Sequence, residues 1–407
     1  MKDSFKQIIV KGTFILTISN LVISALNYVS NSLTAKALGP VGFGELSTLF
    51  AYLNIFNIPL VILTTLVIVK LGNAEDLKHK VAYEIEQWFG NKFREKKYIF
   101  VLSLLSIFFV PALTNLSLYS SITLYILAIL SIMGTMYFSL LQGLHLFIPF
   151  TFLLVLTSLF RLIGTYLAYL NIGGINSVYL GIISGSLISL YFARKYIKKD
   201  KPSASKVVHI RIRDYILRKE TLITAFSLLS VALLSNIDIM FVKKMFNATD
   251  AGIYGGWSLL AKIVGYFAAP IMSVSLLFFS AKEAKADHKK TLFLIIAGVI
   301  FIGISILVLY SHFTNYILLF IFSSKFLGIA PYIPYAALFG MLLTIITLIN
   351  NYYIAHKSKY SLLVLLSFPV EIVLLSLMGT SLENVMIINV GVGFFITGIL
   401  TISLLYN

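Results

Sequence analysis

Residues 13–69 read TFILTISNLVISALNYVSNSLTAKALGPVGFGELSTLFAYLNIFNIPLVILTTLVIV. Two apolar runs, 13–35 and 46–69, flank a short glycine-rich turn with Lys36 ahead of it and Pro40 inside it. A hydrocarbon core ~30 Å thick takes roughly 20 apolar residues per helix, so each run is long enough to cross a membrane. The runs are apolar on all faces and about twice the ~10 residues of a barrel strand, which selects helices. The same reading carried outward adds spans near 98–118, 121–142, 148–170, 175–193, 221–242, 253–280, 291–310, 329–354, 360–380 and 384–405. The apolar stretch 312–326 is short and reads as an interfacial or re-entrant segment. The expected architecture is an all-α polytopic integral membrane protein of about twelve transmembrane helices.

Composition agrees. Of 407 residues 59% are hydrophobic and 12% charged, and the mean hydropathy is +0.94. Soluble domains carry ~25% charged residues; half of that leaves too little polar surface for a water-exposed body. A soluble enzyme, a disordered chain and a nucleic-acid-binding domain are therefore poor fits. The chain has no cysteine, which excludes disulfides and thiolate chemistry, and its six histidines show no metal-ligand spacing. No metal site is expected.

The net charge of +16 has an address. With the first span leaving the cytoplasm, 26 of the 32 Lys and Arg fall on the cytoplasmic side, four on the outer side and two inside spans. That bias sets orientation: both termini cytoplasmic, in a multi-pass protein of the cell (cytoplasmic) membrane. Ten of the basic residues lie in 194–220. This segment divides the spans into an N-terminal lobe of six helices, 1–193, and a C-terminal lobe of six, 221–407. It reads as a basic cytoplasmic linker touching anionic lipid. The mixed-charge loop 70–97 reads as an amphipathic surface helix with Glu84, Glu86, Trp88 and Phe89 near the headgroups.

A shift of 208 residues places Lys36 on Lys244 and Gly44 on Gly252, in the turn after the first span of each half. Six spans is an even number, so both halves start on the same side. A repeat of that kind is parallel, with its axis along the membrane normal.

These turns carry a family resemblance. Leu38-Gly39-Pro40-Val41-Gly42-Phe43-Gly44, together with Asn236-Ile237-Asp238 and Ala251-Gly252-Ile253-Tyr254, resembles the polysaccharide transporter family. That family belongs to the multidrug/oligosaccharidyl-lipid/polysaccharide flippase superfamily, and the similarity is greatest to its O-antigen and lipid-linked oligosaccharide flippase branch. The resemblance implies a MATE-like fold of two lobes around a central cavity. It also implies flipping of polyprenyl-(pyro)phosphate-linked oligosaccharide from the cytoplasmic to the outer leaflet by alternating access. The implied partners are the lipid-linked glycan substrate, membrane lipids and glycan-assembly enzymes. The sequence departs from the multidrug-extruding relatives in having no Asp or Glu in the middle of spans one to six. It also has fewer first-lobe cations than the lipid II flippases.

Ionisable groups inside hydrocarbon cost at least ~2.5–3.5 kcal/mol each on insertion scales and so face a cavity or a partner. Four stand within spans: Arg161, Asp238, Lys262 and Glu371. Arg161 is either a phosphate contact, for which a planar guanidinium is suited, or a structural pair. Asp238 and Lys262, on adjacent antiparallel spans, read as an interhelical salt bridge or as a gating pair. Glu371 follows Pro369, which kinks a helix, and reads as a cation relay or an interhelical donor. Lys36, Lys243 and Lys244 at the outer rim either receive phosphate or snorkel to the headgroups. Asn27 and Asn31, at i and i+4, share a helix face that lines a lumen or bonds a neighbouring helix. Asn350 and Tyr353 read as part of a cytoplasmic mouth. The candidate substrate-binding set is thus Arg161, Lys262, Asn27, Asn31 and Lys36; the ion-coupling or gating set is Asp238 and Glu371.

No cofactor is implied, with Na⁺ or H⁺ coupling left open. The chain contains no Walker A motif, so no P-loop hydrolysis is expected. Three rivals share the membrane architecture: a cation-coupled multidrug or metabolite exporter, a membrane-embedded glycan polymerase or ligase, and a passive scaffold. A polymerase needs catalytic side chains in a sizeable outer loop. The longest outer loop expected here, 311–328, offers only His312, Tyr316 and Lys325 as titratable groups. The protein is therefore expected not to be an enzyme.

Overall fold

The computed structural model describes residues 2–74, 77–198, 218–280 and 288–406, and no strand occurs among them. Most of the basic linker, 199–217, and the basic segment 281–287 lie outside the described residues. Helix α1 covers Lys2–Gly72, 71 residues. At 1.5 Å per residue that is ~105 Å, several times a bilayer. One residue breaks it: Gly39 has φ 64° and ψ −169°, a conformation that side chains disfavour, and Pro40 then lacks the N–H to continue the ladder. The glycine-rich turn thus separates two helices, one on either side of Gly39, as the two apolar runs lead one to expect.

Then follow α2 (Lys78–Glu95), α3 (Lys97–Ser103), α4 (Ser106–Thr114), α5 (Leu118–Gly143), α6 (Phe147–Tyr169) and α7 (Ile175–Lys198). After the linker come α8 (Lys219–Leu234), α9 (Ile237–Met245), α10 (Ala248–Ser280) and α11 (His288–Ile321). The chain ends with α12 (Ile333–Ala355), α13 (Ser367–Met378) and α14 (Leu382–Leu405). Short 3-10 turns, Ser324–Tyr332 and Lys359–Leu366, lead into α12 and α13. Among the described residues eight helices are long and apolar enough to cross a membrane, and α8 with α9, bent by 45°, makes a ninth. The protein is an all-α, multi-pass membrane protein. Stretch 312–326 is set apart from the span before it by a break in the helix at Phe313. Helix α11 runs through it to Ile321, with non-helical backbone at Phe313, and the 3-10 turn takes over. The span expected at 98–118 is divided into α3 and α4.

The chain forms two compact units, residues 1–30 with 56–221, and 31–55 with 222–407. In the first, α6 meets α7 at Gly164 and Gly181, where an added Cβ would lie 2.3 Å from the Ser177 carbonyl and 2.6 Å from that of Phe160. Small residues of this kind let helix backbones approach in a membrane. Helix α2 turns Glu84 and Glu86 inward: Glu86, 6% exposed, faces Arg194 at 3.6 Å and accepts from the Tyr137 hydroxyl at 3.3 Å. The headgroup position expected for Glu84 and Glu86 is therefore corrected, because both are buried.

In the second unit the repeat becomes physical. The part of α1 after the kink starts at residue 40 and α10 at Ala248, an offset of 208 residues. The aligned glycines touch. A Cβ on Gly252 would lie 1.7 Å from the Pro40 carbonyl oxygen, and one on Gly44 2.8 Å from the Gly252 nitrogen. Backbone cannot retreat as a flexible side chain can. Gly252→Ala is therefore expected to destabilise the protein by about 1–3 kcal/mol, read as a lower melting temperature in detergent; an unchanged melting temperature contradicts this packing.

At the start of α2, Lys78 lies 3.1 Å from the Nε2 of His145, in the α5–α6 connector. Burial first, and then the Lys78 charge, push the imidazole below its ordinary value. The unfolded chain therefore takes up this proton first as pH falls through ~6.5. Stability is expected to decline below that pH, and to decline less in Lys78→Gln, by thermal unfolding between pH 8 and pH 5.

Candidate functional site

In the first unit, Arg161 stands mid-way along α6 and is buried. Its Nη1 donates to the Asn27 Oδ1 at 3.1 Å. A guanidinium has five N–H donors, so this amide accounts for only part of its capacity. Asn27 and Asn31 share a helix but not a unit, since the boundary falls between Ser30 and Asn31.

In the second unit, the break between α8 and α9 makes the site. The Asn236 side chain turns back and donates to the Ala232 carbonyl at 2.8 Å, competing with the helix ladder, and the helix bends by 45° there. Two consequences follow. The Asn236 Oδ1 faces a cavity of about 440 Å³. There it accepts from Lys262 Nζ at 3.4 Å and from Asn54 Nδ2 at 3.2 Å. Among the described residues, Lys262 is the only charged one in the cavity lining; Ser235, Tyr266, Thr344 and Thr347 supply hydroxyls. Second, the new helix start places Asp238 in the first turn of α9, where the positive end of the helix dipole favours a carboxylate.

Asp238 is completely buried. The Tyr254 hydroxyl donates to its Oδ2 at 2.6 Å and Asn389 Nδ2 does so at 3.0 Å, while its Oδ1 has no hydrogen-bond partner among the described residues. Glu371 is equally buried, and neither carboxyl oxygen has a hydrogen-bond partner among them. It sits just beyond the first turn of α13, two residues after Pro369; the proline itself lies in the first turn, where it costs no ladder bond. Its charge and that of Asp238 act on one another, as do those of Asp238 and Lys262. The expected Asp238–Lys262 salt bridge is corrected: the two are electrostatic neighbours, but Asp238 is held by Tyr254 and Asn389, and Lys262 by Asn236. Among the described residues no group of three His, Asp or Glu is placed to hold a metal ion.

The outer-rim lysines part ways. Lys36 is exposed, its Nζ 5.7 Å from the centre of the Phe320 ring, and Lys244 is exposed. Lys243 does not snorkel: it is 4% exposed and paired with Glu45 at 2.5 Å. Asn350 and Tyr353 are core braces, bonded to Ser227 and Ser403. The sequence reading missed Glu45 as a partner, and Tyr254 and Asn389 as ligands of Asp238. The available signal was a polar side chain in an apolar run, clearest in Ile388-Asn389-Val390.

This bent, polytopic, all-helical chain has the fold of flippases and multidrug transporters. The fold is shared across 96% of this chain and 87% of a lipid II flippase, MurJ, in an inward closed conformation, at TM-score 0.75 and 17% identity. An inward-facing multidrug resistance MATE family transporter of the MOP superfamily matches over 96% of this chain and 97% of its own, at TM-score 0.71 and 12% identity. A point mutant of the Vibrio cholerae MATE transporter VcmN matches over 100% of this chain and 98% of its own, at TM-score 0.60 and 13% identity. No curated protein matches the chain. The model of the family described as polysaccharide biosynthesis protein matches residues 9–281, and the chain belongs to that family. Its members and these structural neighbours are transporters and flippases, not enzymes.

Removing one partner of a buried ion pair costs about 3–5 kcal/mol, whereas replacing both with apolar residues is often neutral. Lys243→Met is therefore expected to lower the melting temperature, and Glu45→Leu with Lys243→Met to restore most of the loss.

Proposed function

We propose that this protein flips a polyprenyl-(pyro)phosphate-linked oligosaccharide from the cytoplasmic to the outer leaflet of the cell membrane, for surface polysaccharide or glycan assembly. The observation that carries the reading is a pair of stations, each a cation held by an asparagine within apolar helices. Arg161 with Asn27 is one, and Lys262 with Asn236 the other. An anionic headgroup is the ligand class that meets such cations in hydrocarbon, and family membership ties the anion to polysaccharide synthesis. The cavity beside Lys262 adds amides and hydroxyls suited to sugar hydroxyls. The flexible lipid tail needs no polar station and stays in the bilayer.

In this account lobes 1–193 and 221–407 alternate access, joined by the basic 194–220 linker against anionic lipid on the cytoplasmic side. Asp238 and Glu371 take a proton or Na⁺ as the driving ion. Asn31 and Lys36 are secondary contacts along the route, and glycan-assembly enzymes supply and consume the substrate. One observation favours a second reading, a cation-coupled exporter of drugs or metabolites: the buried carboxyl pair fits cation coupling whatever the cargo.

The test is glycan export in cells that depend on this protein. A hydrogen bond to a charged group is worth about 1.5–3 kcal/mol, roughly 10–100-fold. Arg161→Ala is expected to reduce export by that factor at normal membrane abundance, with partial activity in Arg161→Lys. Full glycan export by Arg161→Ala would remove the first station, and transport of cationic drugs in place of glycan would favour the second reading.

A further inference from the structure

Lys262 stands between two groups that want opposite things from it. On one side is the cavity, in whose described lining it is the only charge. On the other are Asp238 and Glu371, completely buried, with three of their four carboxyl oxygens lacking a hydrogen-bond partner among the described residues. An ammonium carries three donors, yet its hydrogen bond here is a long one, 3.4 Å, to the amide of Asn236. That amide also accepts from Asn54, so a replacement donor is already in place when the ammonium leaves. Asn236 lies two residues before Asp238, across the break between α8 and α9, so one bent segment touches both sides.

We propose that Lys262 is a positioning residue that links anion binding in this cavity to cation uptake by Asp238 and Glu371. The proposal rests on the cavity being a station for the substrate's phosphate. With the cavity empty, the Lys262 charge compensates that of Asp238, and through Asp238, whose charge acts on Glu371, it lowers the affinity of the pair for any other cation. A phosphate-class anion entering the cavity draws the ammonium onto itself. The carboxyls then face an apolar interior without a counter-charge, and burial without compensation is costly. They answer by taking a proton or a monovalent cation. No bond is made or broken beyond that proton, which comes from solvent. Among the described residues, the titratable groups around the exchange are Asp238, Tyr254, Lys262 and Glu371, with Tyr266 in the cavity lining. By reciprocity the cation must raise anion affinity by the factor by which the anion raises cation affinity. The substrate thereby loads its own driving ion, and an empty carrier holds less of it.

The experiment measures binding of inorganic pyrophosphate to the purified full-length protein in detergent. Titrations are made in NaCl and in N-methylglucamine chloride of equal ionic strength, and each at pH 8 and pH 6. Wild-type protein is expected to bind pyrophosphate at least about 5-fold more tightly when Na⁺ is present or the pH is lower. Lys262→Gln is expected to bind more weakly and to lose the cation dependence, and Lys262→Arg to recover it. Asp238→Asn combined with Glu371→Gln is expected to bind pyrophosphate with the same affinity in NaCl and in N-methylglucamine chloride at each pH, leaving only the pH effect of the ligand's own protonation. Melting curves confirm that each variant is folded, and a Lys262 that merely braces the helix would weaken binding while leaving the ratio unchanged. Wild-type binding that ignores both Na⁺ and pH overturns the linkage and leaves the proposed function standing. So does Lys262→Gln with the wild-type ratio. Failure of wild-type protein to bind pyrophosphate overturns the anion station itself, and the linkage with it.

Discussion

Four ionisable side chains stand inside helices built of leucine, isoleucine, valine and phenylalanine. Each must be met by another polar group, because desolvating an isolated charge costs several kcal/mol. The interruptions of the helices follow from that requirement. The α8–α9 break aims Asn236 at Lys262 and starts a new helix under Asp238. The 3-10 turn before α13 starts another under Glu371. Arg161 needs no break, because the Asn27 amide comes from another helix. Arg161 and Lys262 thus stand within regular helices and take their asparagine partners from outside those helices.

Close backbone contact is the second requirement, and it explains the glycine turns. The repeat-related glycines, Gly44 and Gly252, are the point where the kinked α1 and α10 press together, with the buried Glu45–Lys243 pair beside them. Glu45 follows Gly44 directly, so the residue that permits the approach also delivers the carboxylate. Low identity between the halves is no obstacle to the repeat, because it is kept in where the helices start and in the glycine contact rather than in side-chain chemistry.

The class of fold was legible because hydropathy is a property of single segments. Runs of twenty apolar residues need no tertiary information, and every expected span falls mainly on helix in the structure. The joins were less legible. How the chain bends at Gly39, and at which residue the helix breaks near 312–326, depends on packing that hydropathy does not record. Within the candidate site, Arg161, Asp238, Lys262 and Glu371 announced themselves as charges in apolar runs. Their partners did not. Asn389 is 151 positions from Asp238 and Glu45 is 198 from Lys243, and the adjacency of two antiparallel spans suggested a salt bridge where the structure uses a tyrosine and an amide. The split of Asn27 from Asn31 shows the same limit: helical periodicity assigns a face, but not the unit that the face joins.

The central claim is that a negatively charged, lipid-linked glycan is the cargo. The most direct measurement places purified protein in liposomes holding a fluorescent polyprenyl-pyrophosphate oligosaccharide and follows its arrival in the opposite leaflet with a membrane-impermeant quencher. The account predicts protein-dependent movement of the pyrophosphate-linked glycan, and none of the same lipid with a neutral link in place of the pyrophosphate. Equal movement of both lipids, or movement of neither under a proton or Na⁺ gradient of either sign, would contradict it.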